Sequence, residues 1–111
     1  VDAIASILVG HYFLLFPEEK QATILKWSTD ENLWIRRTSI IFQLKYGAKT
    51  DADLLQTCIH NNLNSKEFFI NKAIGWALRQ YARTNADYVR DFVLHTQLAN
   101  LSKREALKHI G

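Results

Sequence analysis

Methionine is absent from this 111-residue chain, cysteine and proline occur once each, and glycine occurs only four times. With Cys58 alone no internal disulfide is possible, and a reducing, intracellular compartment is the expectation. The scarcity of proline and glycine leaves long stretches that nothing interrupts, and the few that occur lie mostly in or near turns. Long apolar runs are missing as well. The most apolar stretch, AIASILVGHYFLLF, is about 14 residues long and carries His11, against roughly 20 needed to cross a bilayer, so no membrane span is expected. No basic segment precedes it and no small-residue cleavage site follows, so the stretch is not expected to be a signal peptide. Neither sign of charge dominates: fourteen Lys and Arg against eleven Asp and Glu give +3 and a pI near 9.1. That balance tolerates an anionic partner without demanding one. Also missing are GxSxG, a P-loop and GxGxxG. His11, His60, His95 and His109 are scattered without metal-ligand spacing, so neither a metal nor a cofactor is expected.

What is present is a globular composition, 48% hydrophobic and 23% charged, in a chain long enough for one core and too short for two. Polar stretches such as WSTDEN, GAKTD, NNLNSK, ARTNAD and ANLS divide the apolar segments at regular intervals. Ser28, Thr50, Asn64 and Ser102 each stand three residues before an acidic residue, as helix N-caps do. The pattern predicts seven helices, near residues 2–15, 18–27, 30–46, 51–61, 66–83, 86–95 and 102–109, and no strand. They group as antiparallel pairs. The long members restart near residues 30 and 66, close to the roughly 40-residue period of HEAT-type repeats, and DENLWIRRTSII resembles the first helix of one. The expected fold is all-α, an α-solenoid of HEAT-like helical repeats over residues 1–111, with an irregular helical bundle as the alternative. The absence of methionine and the abrupt opening at Val1 and Asp2 lead us to expect a fragment of a longer solenoid, lacking N-terminal repeats.

Two features carry chemistry. On a helical wheel with Trp76 at zero, Phe69, Lys72, Arg79 and Arg83 fall within roughly 60° of it, while Ile70, Ile74, Ala77, Leu78 and Tyr81 gather on a separate face. A ring among cations suits a phosphate backbone, and equally suits long basic stems sheltering a partly exposed indole. In the second feature Arg37 lies within about 60° of Trp34 whereas its neighbour Arg36 points away, so the two must act differently. One such arginine can bridge helices through carbonyls or a carboxylate, or grip a phosphate; the residues themselves favour bridging. Cys58 among Leu54, Leu55 and Ile59 reads as packing.

The segments VDAIASILVGHYF, NLWIRRTSIIFQLKYG, NKAIGWALRQYART and LSKREALKH closely resemble the C-terminal half of the AlkD-like bacterial DNA alkylation repair enzymes, HEAT-like-repeat glycosylases that remove N3- and N7-alkylated purines. The resemblance implies a catalytic aspartate at Asp2, a functional arginine at Arg37 and a lesion-facing aromatic at Trp76, set around one concavity, with Lys72, Arg79 and Arg83 as backbone contacts. It implies duplex DNA bearing alkylated purines as partner, monofunctional hydrolysis without cofactor or metal, a monomer, and a bacterial cytoplasmic setting. The aromatic residues that precede Val-Asp in the family are missing at Val1, so little activity is expected of these 111 residues alone. A non-catalytic repeat module binding DNA or protein is the alternative.

Overall fold

The computed structural model describes residues 2–110, with side chains from residue 4 onward. Seven α-helices account for most of it: α1 (Asp2–Leu15), α2 (Lys20–Trp27), α3 (Leu33–Ile41), α4 (Ala52–His60), α5 (Phe68–Ala82), α6 (Ala86–His95) and α7 (Asn100–Ala106). No strand occurs among the described residues. Single 3₁₀ turns at Pro17–Glu19 and Gly47–Lys49 join α1 to α2 and α3 to α4. Proline suits the start of the first turn, where its fixed φ is already helical and its missing amide would have no partner, and α2 follows at Lys20, later than expected. Gly47 allows the second, with the left-handed φ of 55° that a side chain would resist.

The starts of the helices differ from the capping pattern expected. Asn32 begins α3, its side chain accepting from the Trp34 and Ile35 amides at 2.8 and 3.3 Å. Ser28 instead ends α2, donating to the Leu25 carbonyl at 2.7 Å and accepting from Asn61 at 2.9 Å. Asp51, one residue beyond Thr50, caps α4 through the Leu54 amide at 3.1 Å. Asn64 caps nothing; α5 starts after Glu67. Asn85 caps α6 through the Tyr88 amide. Each Asx carboxamide or carboxylate satisfies an amide that the first helical turn leaves orphaned, and this fixes where the helix begins.

Successive helices alternate between two layers. Contacts run α1 to α3 to α5 to α7 in one layer, with the α5–α7 contact the most extensive, while α2, α4 and α6 back it. Across the second layer, Tyr88 Oη donates to Gln56 Oε1 at 2.7 Å and the His60 and Phe92 rings meet at 5.8 Å, tying α6 to α4. This is the α-solenoid of helical repeats. Between the layers lie fully buried Ile24, Ile41, Ile59, Ile70 and Val89. Each such side chain contributes about 1.5–3 kcal/mol by leaving water, which is what makes short helices stable in each other's company.

Two glycines let helices approach closely within the first layer. A Cβ at Gly10 would fall 2.4 Å from the Phe42 carbonyl oxygen, and Tyr46 Oη donates to the Gly10 carbonyl at 2.7 Å, so α1 lies against the end of α3. Burial pushes that phenol up to about 12. A Cβ at Gly75 would fall 2.6 Å from the Glu105 Cβ and 3.1 Å from the Ser102 carbonyl oxygen, so α7 lies against the backbone of α5.

Candidate nucleic-acid interface

The α5 wheel holds in three dimensions. Ile70, Ile74, Ala77 and Leu78 are buried, whereas Lys72, Trp76 and Arg79 are half-buried and Phe69 and Arg83 exposed. The indole therefore lies at the boundary between the core and the open side of the first layer.

Arg37 reaches this boundary from α3. Its Nη1 donates to the Phe69 carbonyl oxygen at 2.6 Å, and its guanidinium carbon lies 5.9 Å from the centroids of both the Phe69 and the Trp76 rings. The side chain is only 8% exposed. A planar cation against two π faces gains electrostatic attraction from each ring and loses little hydration, because guanidinium is weakly hydrated. It thus bridges α3 to α5, and it fixes the Trp76 ring from one flank. The aromatic surface continues outward: Trp34 and Phe69 have centroids 5.2 Å apart, as do Phe68 and Phe69. Trp34, Phe68 and Phe69 are all exposed, in contrast to the core rings.

Arg36 does the other work expected of the pair. Its Nη1 donates to the carbonyl oxygens of Asp30 and Glu31 at 2.8 and 3.1 Å, closing the α2–α3 loop.

From the opposite flank of Trp76, α7 contributes Glu105. Its Oε1 lies 3.1 Å from Arg79 Nη1 and its Oε2 lies 3.7 Å from Lys72 Nζ, so one carboxylate bridges two cations of the stripe. Ser102, expected to cap α7, lies within it, and its hydroxyl donates to the Asn71 carbonyl at 2.7 Å. That bond and the bare backbone at Gly75 set α7 at the distance the ion pairs need.

Arg83 extends the stripe past the end of α5. Its side chain makes no ion pair among the described residues. With Lys45, Gln80 and Tyr81 it lines a cleft of about 170 Å³ where the ends of α3 and α5 meet α4. Arg37 and Trp76 do not line that cleft. Asp2 is the first residue of α1, the neighbour of α3 in the same layer; its side chain lies outside the described residues. The structure thus brings together Arg37, Lys72, Trp76 and Arg79, and carries Arg83 along the same helix.

Other chemistry is sparse. Cys58 is fully buried, and that burial pushes its thiol up to about 11, which keeps it protonated and poorly nucleophilic. Among the described residues no group of three or more His, Cys, Asp or Glu side chains is gathered to hold a metal, and no helix is long and apolar enough to cross a membrane.

The sequence profile of the DNA alkylation repair enzyme family matches residues 1–110. The chain belongs to this family. A solved structure described as a predicted DNA alkylation repair enzyme from Enterococcus faecalis is similar to it, with 36% identity and a TM-score of 0.85 over 92% of this chain. The chain spans about half the length of that structure, 48%. No curated protein matches it. Membership in the DNA alkylation repair family fits a layer of helices that collects cations and exposed rings on one side.

Two participants are not legible in the sequence alone. Glu105 looked like the acidic half of a capping box with Ser102, and Phe69 was only one more member of the wheel. The recurrence of basic residues on both sides of Gly75, at Lys72 and Arg79, was the available hint that something acidic packs there.

Proposed function

We propose that this chain is the C-terminal portion of a larger DNA alkylation repair protein, a monofunctional glycosylase that hydrolyses the N-glycosidic bond of cationic N3- and N7-alkylpurines, such as 3-methyladenine and 7-methylguanine, in duplex DNA. The observation that carries the reading is the Arg37 guanidinium set against the Phe69 and Trp76 rings, on the open side of the layer that Asp2 begins, in a member of this family.

The chemistry explains why so few groups are needed. An alkylated N3 or N7 purine already bears positive charge and leaves as a neutral base, so no general acid is required. As the bond lengthens, positive charge develops at C1′ of the deoxyribose. A carboxylate beside the sugar stabilises that charge and orients a water, whose oxygen bonds to C1′ as the base departs; its proton passes to the carboxylate or to solvent. Asp2 takes this role. Trp76 packs against the lesion nucleotide, its electron-rich face adding to the stabilisation of the cationic sugar. Arg37 holds that ring in orientation and attracts the adjacent phosphate. Arg83, with Lys72 and Arg79, grips the flanking backbone. No lysine is placed as a nucleophile, so the abasic product is not cleaved further. The exposed Trp34, Phe68 and Phe69 rings beside the half-buried cations suit recognition through backbone and charge more than through a deep base pocket.

The complete protein should release 7-methylguanine from methylated duplex. Trp76→Ala should lower release by at least about tenfold and weaken duplex binding, since loss of one stacked ring costs about 1–3 kcal/mol. A variant with a lowered melting temperature but unchanged release and binding would instead make the cluster a packing feature, and the chain a helical-repeat module without catalysis.

A further inference from the structure

We infer that Glu105 is an internal screen on the DNA-binding stripe: its carboxylate neutralises Lys72 and Arg79 in the free protein and so limits the grip on undamaged duplex. The inference rests on the DNA-binding reading above.

The geometry is specific. Lys72 and Arg79 are two helical turns apart on α5, with Gly75 and Trp76 between them, and the two oxygens of Glu105 each take one cation. The carboxylate is the fixed partner. Its side chain is 13% exposed, its Cβ lies over the bare Gly75 backbone, and α7 is pinned by the Ser102 bond to Asn71. The cations are the movable partners, at 43% exposure for Lys72 and 28% for Arg79. Two cations and one carboxylate present a net charge of +1 where the helix wheel alone promises +2. A phosphate approaching the stripe must therefore compete with an anion already in place.

The consequence is a division of labour. Non-specific affinity for duplex grows with each phosphate neutralised, and it holds a repair enzyme on the vast excess of undamaged DNA. Damping two of the cations nearest Trp76 leaves discrimination to the contacts that only a lesion nucleotide completes. Arg83, unpaired among the described residues, supplies the undamped part of the grip.

The test is a salt titration of the complete protein on a fluorescent, undamaged duplex. Glu105→Gln keeps the side-chain shape and removes the charge. It should tighten binding several-fold at low salt and steepen the log-affinity against log-salt slope by about one to two, because each phosphate contact contributes about 0.9. Adding Glu105→Gln to Lys72→Gln/Arg79→Gln should leave the slope where that double variant has it. An unchanged slope for Glu105→Gln, weaker binding, or the same steepening in the background lacking both cations would overturn the inference. A second arm does not depend on how Glu105→Gln folds: Lys72→Gln/Arg79→Gln in the otherwise native protein should flatten the slope by less than about one, and flattening by about two would show unscreened cations. If the native protein shows no salt-dependent binding at all, the DNA-binding reading itself fails and takes the inference with it; every other failure leaves that reading standing.

Discussion

The two helix junctions beside Trp76 hold their cations at different depths. At α3–α5 the Arg37 guanidinium lies against the Phe69 and Trp76 rings and donates to a carbonyl, almost entirely out of water. At α5–α7 Lys72 and Arg79 are more exposed and meet the carboxylate of Glu105. Two rings and a carbonyl help to orient the buried guanidinium, and at the other junction one carboxylate bridges two more exposed cations and offsets part of their charge. The first junction therefore holds its cation out of water beside Trp76, and the second leaves its two cations within reach of a phosphate that must compete with Glu105.

The contrast can be broken most severely from Gly75. Gly75→Ala places a Cβ 2.6 Å from the Glu105 Cβ and 3.1 Å from a backbone oxygen, neither of them the free end of a flexible chain. It should force α7 away from α5 and cost about 1–3 kcal/mol in denaturant unfolding. A loss under about 0.5 kcal/mol would mean that α7 yields easily and that Glu105 is not held in place by the backbone.

A smaller effect sharpens the same contrast within a single helix. Arg83 and Arg79 are one turn apart on the same stripe, the first unpaired among the described residues and the second engaged by Glu105. Arg83→Gln should flatten the log-affinity versus log-salt slope by about 0.9, a full phosphate contact, and Arg79→Gln by clearly less. Equal slopes for the two variants would erase the difference between paired and unpaired cations.

Much of this was legible in the sequence because it follows from local periodicity. Helix α6 occupies the expected 86–95, α1 the expected 2–15, and the faces of α5 are those of its wheel. Helix α3 is shorter than expected, at Leu33–Ile41, because Asn32 takes the capping position and the chain turns after Phe42. Polar loops such as WSTDEN offer several residues able to cap, and tertiary contacts choose among them: Ser28 is drawn to Asn61, and Ser102 to the Asn71 carbonyl. The same limit hid Glu105, whose Arg79 partner is 26 residues away and reachable only because Gly75 lets the helices touch. Arg37 was readable as a bridge between helices, and it is one; that the Phe69 carbonyl in the first turn of α5 is among its acceptors was not. The role given to Asp2 came through family resemblance alone, since nothing in the composition or spacing marks one aspartate at the head of a helix as reactive.

The most direct measurement is therefore the release of 7-methylguanine from methylated duplex by the complete protein carrying Asp2→Asn. The account predicts release at least about 100-fold slower, the scale expected when a group aimed at transition-state charge is removed, with duplex affinity held within about twofold. Release at the native rate would contradict it.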